Sequence, residues 1–269
     1  MNPQATDDTL LLEALRGLLD AECPPARVRA GESGGSLQAL TDALTGSGFA
    51  DAMLPEAQGG AGLSLSQAFP LFELCGRYLL PLPLPEQMVA RALGSAPSLG
   101  LTVALNACLN AAQMAGALQR VLEMTLQYAN DRQQFGRPIG KFQAIQHQLA
   151  VMAEHVMAAR MAAQIGCQSA SGGPGRPESS LIEPSLMNVA VAKARSNDAA
   201  VEVTALAHSI FGAIGFTAEH DLQLYTRRLH AWRLSAGTES YWHEVLGQAV
   251  LASPHAASLD ILQAITAVG

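Results

Sequence analysis

Residues 7–22 place Leu10, Leu11, Leu15, Leu18 and Leu19 at spacings of three and four, the period of an amphipathic helix. The Gly/Ser-rich stretch AGESGGS at 30–36 breaks that pattern, and a second short helix is predicted near 37–46. Gly59, Gly60 and Gly62 crowd too much flexibility into four positions for a helix, so they predict a turn, with Ser64 as the N-cap of the helix that follows. Pro81, Pro83 and Pro85 end that helix, residues 86–94 form one more, and SAPSLG at 95–100 reads as a joint between domains.

Beyond the joint the apolar stripes lengthen. Over 102–131 the residues Leu105, Leu109, Ala112, Ala115, Leu118, Leu122 and Leu126 fall near one helical face. Phe142, Ile145, Leu149, Met152, Val156 and Ile165 do the same over 142–166. The Gly/Pro/Ser run 169–180 is a linker, a third helix is expected over 184–211, and a fourth over 239–251. The pattern predicts an all-α chain: a smaller N-terminal helical domain at 1–94, a joint at 95–101, and an up-and-down four-helix bundle at 102–269. There is no internal repeat and no convincing strand.

Composition agrees with helices, since aromatic residues make up only 5% of 269 residues while 49% are hydrophobic, enough for a substantial core. The net charge of −7 gives no electrostatic footprint for nucleic acid. Cys23, Cys75, Cys108 and Cys167 lie far apart without a CxxC pair, which suggests reduced core thiols rather than a metal site. The acidic start MNPQATDDTL does not resemble a signal peptide, and no apolar run looks long enough to span a bilayer, so a cytoplasmic location is expected.

Chemistry is therefore sought in the loops. YANDRQQFGRPIGKFQAIQH, residues 128–147, gathers Arg132, Arg137 and Lys141 around Gly136 and Gly140, which suits either a bound phosphate or a solvated turn. HSIFGAIGFTAEH at 208–220 offers a helix end closed by Gly212. In RLSAGTESYW at 233–242, Thr238 and Ser240 either donate to a ligand or cap the last helix, with Glu239 in its first turn. Histidine spacing supports no metal site, and neither a GxSxG elbow nor a phosphate-binding GxGxxG or GxxxxGK[ST] loop is present.

Taken in order, PEAQGGAGLS, DRQQFGRPIGKFQ, the helix with Lys193 leading into IFGAIGF, and AGT before the last helix resemble the acyl-CoA dehydrogenase family over nearly the whole chain. The resemblance implies FAD-dependent α,β-desaturation of acyl-CoA thioesters, an N-terminal helical domain and a C-terminal four-helix bundle. The family's middle β domain has no room here, because residues 95–101 join the two helical parts directly. The resemblance places Arg132 at the FAD pyrophosphate of a neighbouring subunit and Phe135 and Gln143 beside that cofactor. Ser209 replaces a flavin-contacting glutamine, Gly212 is kept, Gly237 and Thr238 are kept, and Ser240 stands for another glutamine.

The family's catalytic glutamate falls on Ala236, three residues before Glu239. An alternative base position used in some branches falls on Asn106, and a substrate-contacting arginine on Ala107. A base must lie within hydrogen-bond reach of the α-proton, so the chain lacks its own at the expected position. The resemblance thus implies a subunit of a heteromeric acyl-CoA dehydrogenase, α2β2, whose full-length partner supplies the base and the flavin-ring site. Two alternatives accompany it: a self-sufficient homo-oligomeric enzyme using Glu239, and a non-catalytic structural or regulatory paralogue without flavin.

Overall fold

The computed structural model describes residues 3–94, 98–168 and 184–252. Five helices make the N-terminal part: α1 Pro3–Glu22, α2 Pro25–Glu32, α3 Gln38–Ser47, α4 Leu65–Arg77 and α5 Leu84–Leu93. Then come α6 Leu99–Asp131, a minimal hairpin of β1 Gln133–Gln134 and β2 Arg137–Pro138, α7 Gln143–Gly166, α8 Leu186–Phe211, α9 Leu222–Leu234 and α10 Glu239–Ala252. The all-α architecture expected from the hydrophobic period is the one observed, and no β domain stands between α5 and α6 among the described residues. Helices α6, α7, α8 and α10 form the four-helix bundle, with α9 braced across α6 and α8.

Ser64 starts α4 as its sequence promises: its Oγ accepts from Gln67 N–H at 3.3 Å while its own N–H donates to Gln67 Oε1 at 3.0 Å, a reciprocal capping box. Several expectations need correction. Pro85 lies in the first turn of α5 rather than ahead of it, where its missing N–H would have had no helical partner anyway. Helices α2 and α9 were not foreseen, because Gly31 and the run of Arg227, Arg228, His230 and Arg233 obscure their apolar faces. The β1–β2 hairpin is too short to leave a strand signal in the sequence. By length and composition Leu99–Asp131 and Leu186–Phe216 could each cross a membrane, contrary to the sequence reading; in the first, 78% of the apolar window is buried against other helices, which accounts for its hydrophobicity. The predicted linker at 169–180 lies outside the described residues.

One hydrophobic core runs from Leu15 and Phe72 through Met114 and Leu118 to Val189, Val203 and Trp242, joining the N-terminal helices to the bundle. Each fully buried leucine in it stabilises the fold by about 2 kcal/mol. Where α4 crosses α6, Gly76 and Gly116 let the two backbones touch: a Cβ on Gly76 would overlap Gln113 O, and one on Gly116 would overlap Glu73 O. Charged pairs frame that crossing. Arg77 grips Glu123 at 2.7 and 2.8 Å, and Arg160 grips Glu73 at 2.6 and 3.0 Å, both in two-point geometry.

Candidate functional site

Helix α6 ends at Arg132, whose backbone turns extended at φ −72°, ψ 119°. Its carbonyl accepts from Ile139 N–H at 2.8 Å, and the pairs Gln133↔Pro138 and Gln134↔Arg137 leave Phe135 and Gly136 as a two-residue turn. Both turn residues are left-handed, at φ +52° and +79°, as a tight hairpin of type I′ requires. Glycine meets that demand freely, whereas Phe135 bears the strain of a side chain there. The result is a phenyl ring 91% exposed at the tip.

Behind the tip Phe135 meets Phe142 edge-on, with centroids 6.1 Å apart, and the Arg137 guanidinium lies 4.3 Å from the Phe142 ring centre. Gln143 opens α7 and is exposed. Among the described residues the side chains of Arg132, Lys141 and Gln143 make no hydrogen bond or ion pair. An uncommitted guanidinium, an ammonium, an amide and an exposed ring thus share one corner, a set that fits a diphosphate and a flat heterocycle supplied from outside the chain.

The end of α8 abuts this corner. Tyr128, one helical turn before Arg132, stacks on Phe211 with centroids 4.2 Å apart. Ser209 is exposed and accepts from Gln148 Nε2 at 3.3 Å, and Gly212 closes the helix. His208, just inside, stacks on Phe216 at 4.1 Å and shares a 3.2 Å contact with the Thr226 hydroxyl. Burial, aided by His230, pushes the His208 imidazole below its usual pKa.

The turn that joins α9 to α10 is built differently. Ala236 and Gly237 are again a left-handed pair, at φ +55° and +100°. Here each carbonyl is taken from within: Ala236 O accepts from Trp242 Nε1 at 2.9 Å, and Gly237 O from Asn197 Nδ2 at 3.3 Å. Asn197 Oδ1 in turn accepts from Lys193 Nζ at 2.6 Å, and that ammonium also reaches Trp232 O at 2.9 Å and Arg233 O at 3.4 Å. Lys193 is fully buried, and desolvation drives its pKa down to about 7, with Glu239 opposing and Arg233 reinforcing the fall. Three acceptors match the three hydrogens of the charged form, so the geometry favours the ammonium over a neutral amine.

Thr238 spends its hydroxyl oxygen on the helix, accepting from Tyr241 N–H at 3.4 Å as the N-cap of α10. Glu239 is gripped by Arg233, whose Nε lies 3.1 and 3.0 Å from its two oxygens and whose Nη2 is closer still. The Arg233 hydrogen bonds hold the Glu239 carboxyl below the usual carboxylate range, so it is a poor proton acceptor as it stands. Asn106 is exposed on α6, and Ala107 beside it is fully buried. The sequence offers Lys193 and Asn197 no local motif; the signal was a lysine and an asparagine one turn apart among the apolar and small residues Val189, Ser196 and Ala200 of one buried face.

Comparison with known proteins bears on this architecture. Residues 101–251 match the family model "Acyl-CoA dehydrogenase, C-terminal domain", which is more than half of the chain. The chain belongs to the acyl-CoA dehydrogenase family. Among individual relatives, the acyl-CoA dehydrogenase IpdE2 of Mycolicibacterium smegmatis is 38% identical over 138 residues, spanning 51% of this chain and 39% of that protein. The probable acyl-CoA dehydrogenase FadE25 of Mycobacterium tuberculosis is 33% identical over 140 residues, 52% of this chain and 34% of that protein. The chain therefore matches less than half the length of these curated relatives.

Two solved structures share its fold nearly end to end. A chain of the ChsE4-ChsE5 complex from Mycobacterium tuberculosis aligns with a TM-score of 0.75 over 95% of this chain and 99% of that one, at 16% identity. A variant of the Tcur3481-Tcur3483 steroid ACAD aligns with a TM-score of 0.77 over 92% and 98%, at 20% identity.

Proposed function

We propose that this chain is the base-less subunit of a heteromeric, FAD-linked acyl-CoA dehydrogenase that acts on a bulky acyl-CoA thioester, paired with a full-length subunit in an α2β2 assembly. The observation that carries the reading is the contrast between an outward-facing corner with uncommitted Arg132 and Gln143 and exposed Phe135 and an internally closed turn with alanine at the base position. The structural neighbours, one a chain of the ChsE4-ChsE5 complex and the other from the Tcur3481-Tcur3483 steroid ACAD, support a partnered rather than solitary role.

In this reading Arg132 pairs with the cofactor's diphosphate, and Phe135 and Gln143 line its adenine end across the interface. Ser209, Gly212 and Thr238 stand nearer the flavin ring, with Ser209 already engaged by Gln148 and Thr238 by α10. When bound, the flavin supplies the hydride acceptor for desaturation. The α-proton goes to a carboxylate of the partner, because Ala236 offers none and Glu239 is tied to Arg233. A second reading, a structural paralogue that binds no flavin, draws on the same Ala236 and on Ser209 in place of an amide.

The visible absorption spectrum separates these readings. The chain purified alone is expected to be colourless, and the chain co-expressed and co-purified with a full-length acyl-CoA dehydrogenase from the same source is expected to carry flavin. Flavin on the isolated chain would point to a self-sufficient enzyme. A colourless stable complex would favour the structural paralogue.

A further inference from the structure

We propose that Cys108 and Cys167 are a peroxide-responsive thiol pair, able to close into a disulfide that staples the end of α7 to the middle of α6. Their Sγ atoms lie 3.0 Å apart, fully buried, although the residues are 59 positions apart in sequence. A disulfide bond is about 2.05 Å long, so roughly one ångström of closure separates the contact from the bond. The other two cysteines are engaged elsewhere. Cys23 points at Tyr78 O from 3.7 Å, and Cys75 is buried in α4.

The surroundings allow that closure. Cys108 sits on the rigid, buried stretch of α6, while Cys167 is the C-cap of α7, at φ −85° and ψ 0°, where the helix ends and its backbone can adjust most cheaply. Gly166 beside it has no side chain and packs closely on α8, where a Cβ would lie 2.6 Å from Ala192 Cβ. Among the described residues no cluster of three or more His, Cys, Asp or Glu that could hold a metal ion includes the two thiols.

The chemistry needs only a small neutral oxidant such as hydrogen peroxide. One thiol is oxidised to a sulfenic acid as the peroxide O–O bond breaks and one water leaves. The second sulfur then attacks that sulfenic sulfur, the S–O bond breaks, and the departing hydroxide takes the second thiol's proton as another water. Two thiols and one peroxide thus give one disulfide and two waters. The hydrogen bond to Cys108 and burial both raise the Cys167 pKa, which keeps the thiolate scarce. Oxidation is therefore slow, and bulky disulfide reagents are excluded. Once a sulfenic acid forms, the neighbouring thiol is nearer to it than any second peroxide.

The test uses the full-length chain, incubated with hydrogen peroxide, denatured, alkylated with N-ethylmaleimide and weighed intact. The expected product is lighter by two hydrogens before alkylation, takes up maleimide at only two of its four cysteines, and yields a peptide joining 108 to 167. Dithiothreitol should restore all four sites. The melting temperature of the oxidised chain should rise by about 5 °C, as closure of a long loop predicts. Cys108→Ala and Cys167→Ser should each abolish the cross-link and the rise. Four alkylated thiols after peroxide, stable oxygen adducts on Cys167, or a cross-link through Cys23 or Cys75 would overturn the proposal. None of these outcomes depends on flavin or on a partner subunit.

Discussion

The hairpin at Phe135–Gly136 and the turn at Ala236–Gly237 begin from the same backbone, a non-glycine followed by a glycine with both φ values positive. They end in opposite states. At the hairpin the phenyl ring projects into solvent and a Cβ on Gly136 would meet nothing within 4 Å. At the turn a Cβ on Gly237 would collide with the Trp242 indole and come within 2.9 Å of Tyr241 Cδ1, while both carbonyls are hydrogen-bonded from within. Two successive left-handed residues have thus been used once to display groups and once to seal them away. The difference comes from what packs behind: aromatic support from Phe142 in the first case, and Lys193, Asn197 and Trp242 in the second.

Substitutions at the paired glycines should expose that difference most strongly. Gly237→Ala combines a left-handed side chain with overlap against a fully buried tryptophan, and we expect a loss of about 4 kcal/mol in denaturant unfolding. Lys193→Met removes the buried donor to Asn197 Oδ1 and to Arg233 O and leaves Trp232 O with only the Ser235 N–H; a loss of about 3 kcal/mol is expected, with altered Trp242 emission as the turn loosens. Gly136→Ala meets open space and only backbone strain, so about 1 kcal/mol should be lost. If Gly136→Ala proved as damaging as Gly237→Ala, the contrast drawn between the two bends would collapse.

Acid should distinguish the two regions as well. The unfolded His208 has a pKa of about 6.5 and the folded one lies lower, so the unfolded chain takes up the proton first. Stability from this group is complete above that unfolded value and is lost as pH falls from it towards the folded pKa. The Glu239 carboxyl, also depressed, contributes stability that is complete above the ordinary carboxylate pKa and is lost only at lower pH, as acid passes from there through its folded value. Melting temperature measured from pH 7.5 to 5.5 should therefore fall, by less in His208→Gln, through loosening of the α8 end where His208 stacks on Phe216. The smallest effect belongs to Glu239→Gln: the partly exposed pair with Arg233 is worth about 0.5 kcal/mol, and the activity of a reconstituted complex should not change.

The unequal legibility of the two regions in the sequence follows from the range of their contacts. The long helices α6, α7 and α8 announced themselves because each buries a continuous stripe, and the alanine at 236, which the resemblance sets at the family's base position, was legible from its neighbours Gly237 and Thr238. Arg132, Phe135 and Gln143 lie within twelve residues of one another, so a local motif could name them together. The closed state of the turn could not be read that way. It rests on Asn197 reaching Gly237 across 40 positions and Lys193 reaching Trp232 across 39, contacts that exist only once α8 and α9 have packed. Helix α9 stayed hidden for a related reason: Arg227 and Arg228 on its exposed side pair with Glu32 of α2, a distant partner that no local pattern reveals.

The most direct test of the central claim is the flavin content of a co-purified complex carrying Arg132→Ala in this chain, with the melting temperature of the chain measured alongside. Because Arg132 is exposed and makes no side-chain hydrogen bond or ion pair among the described residues, the substitution should leave stability within about 0.5 kcal/mol of the parent. The account predicts an intact complex that has lost most of its FAD, by tenfold or more in retention after dialysis. An intact complex that keeps its full flavin would contradict it, and would show that this corner does not reach the cofactor.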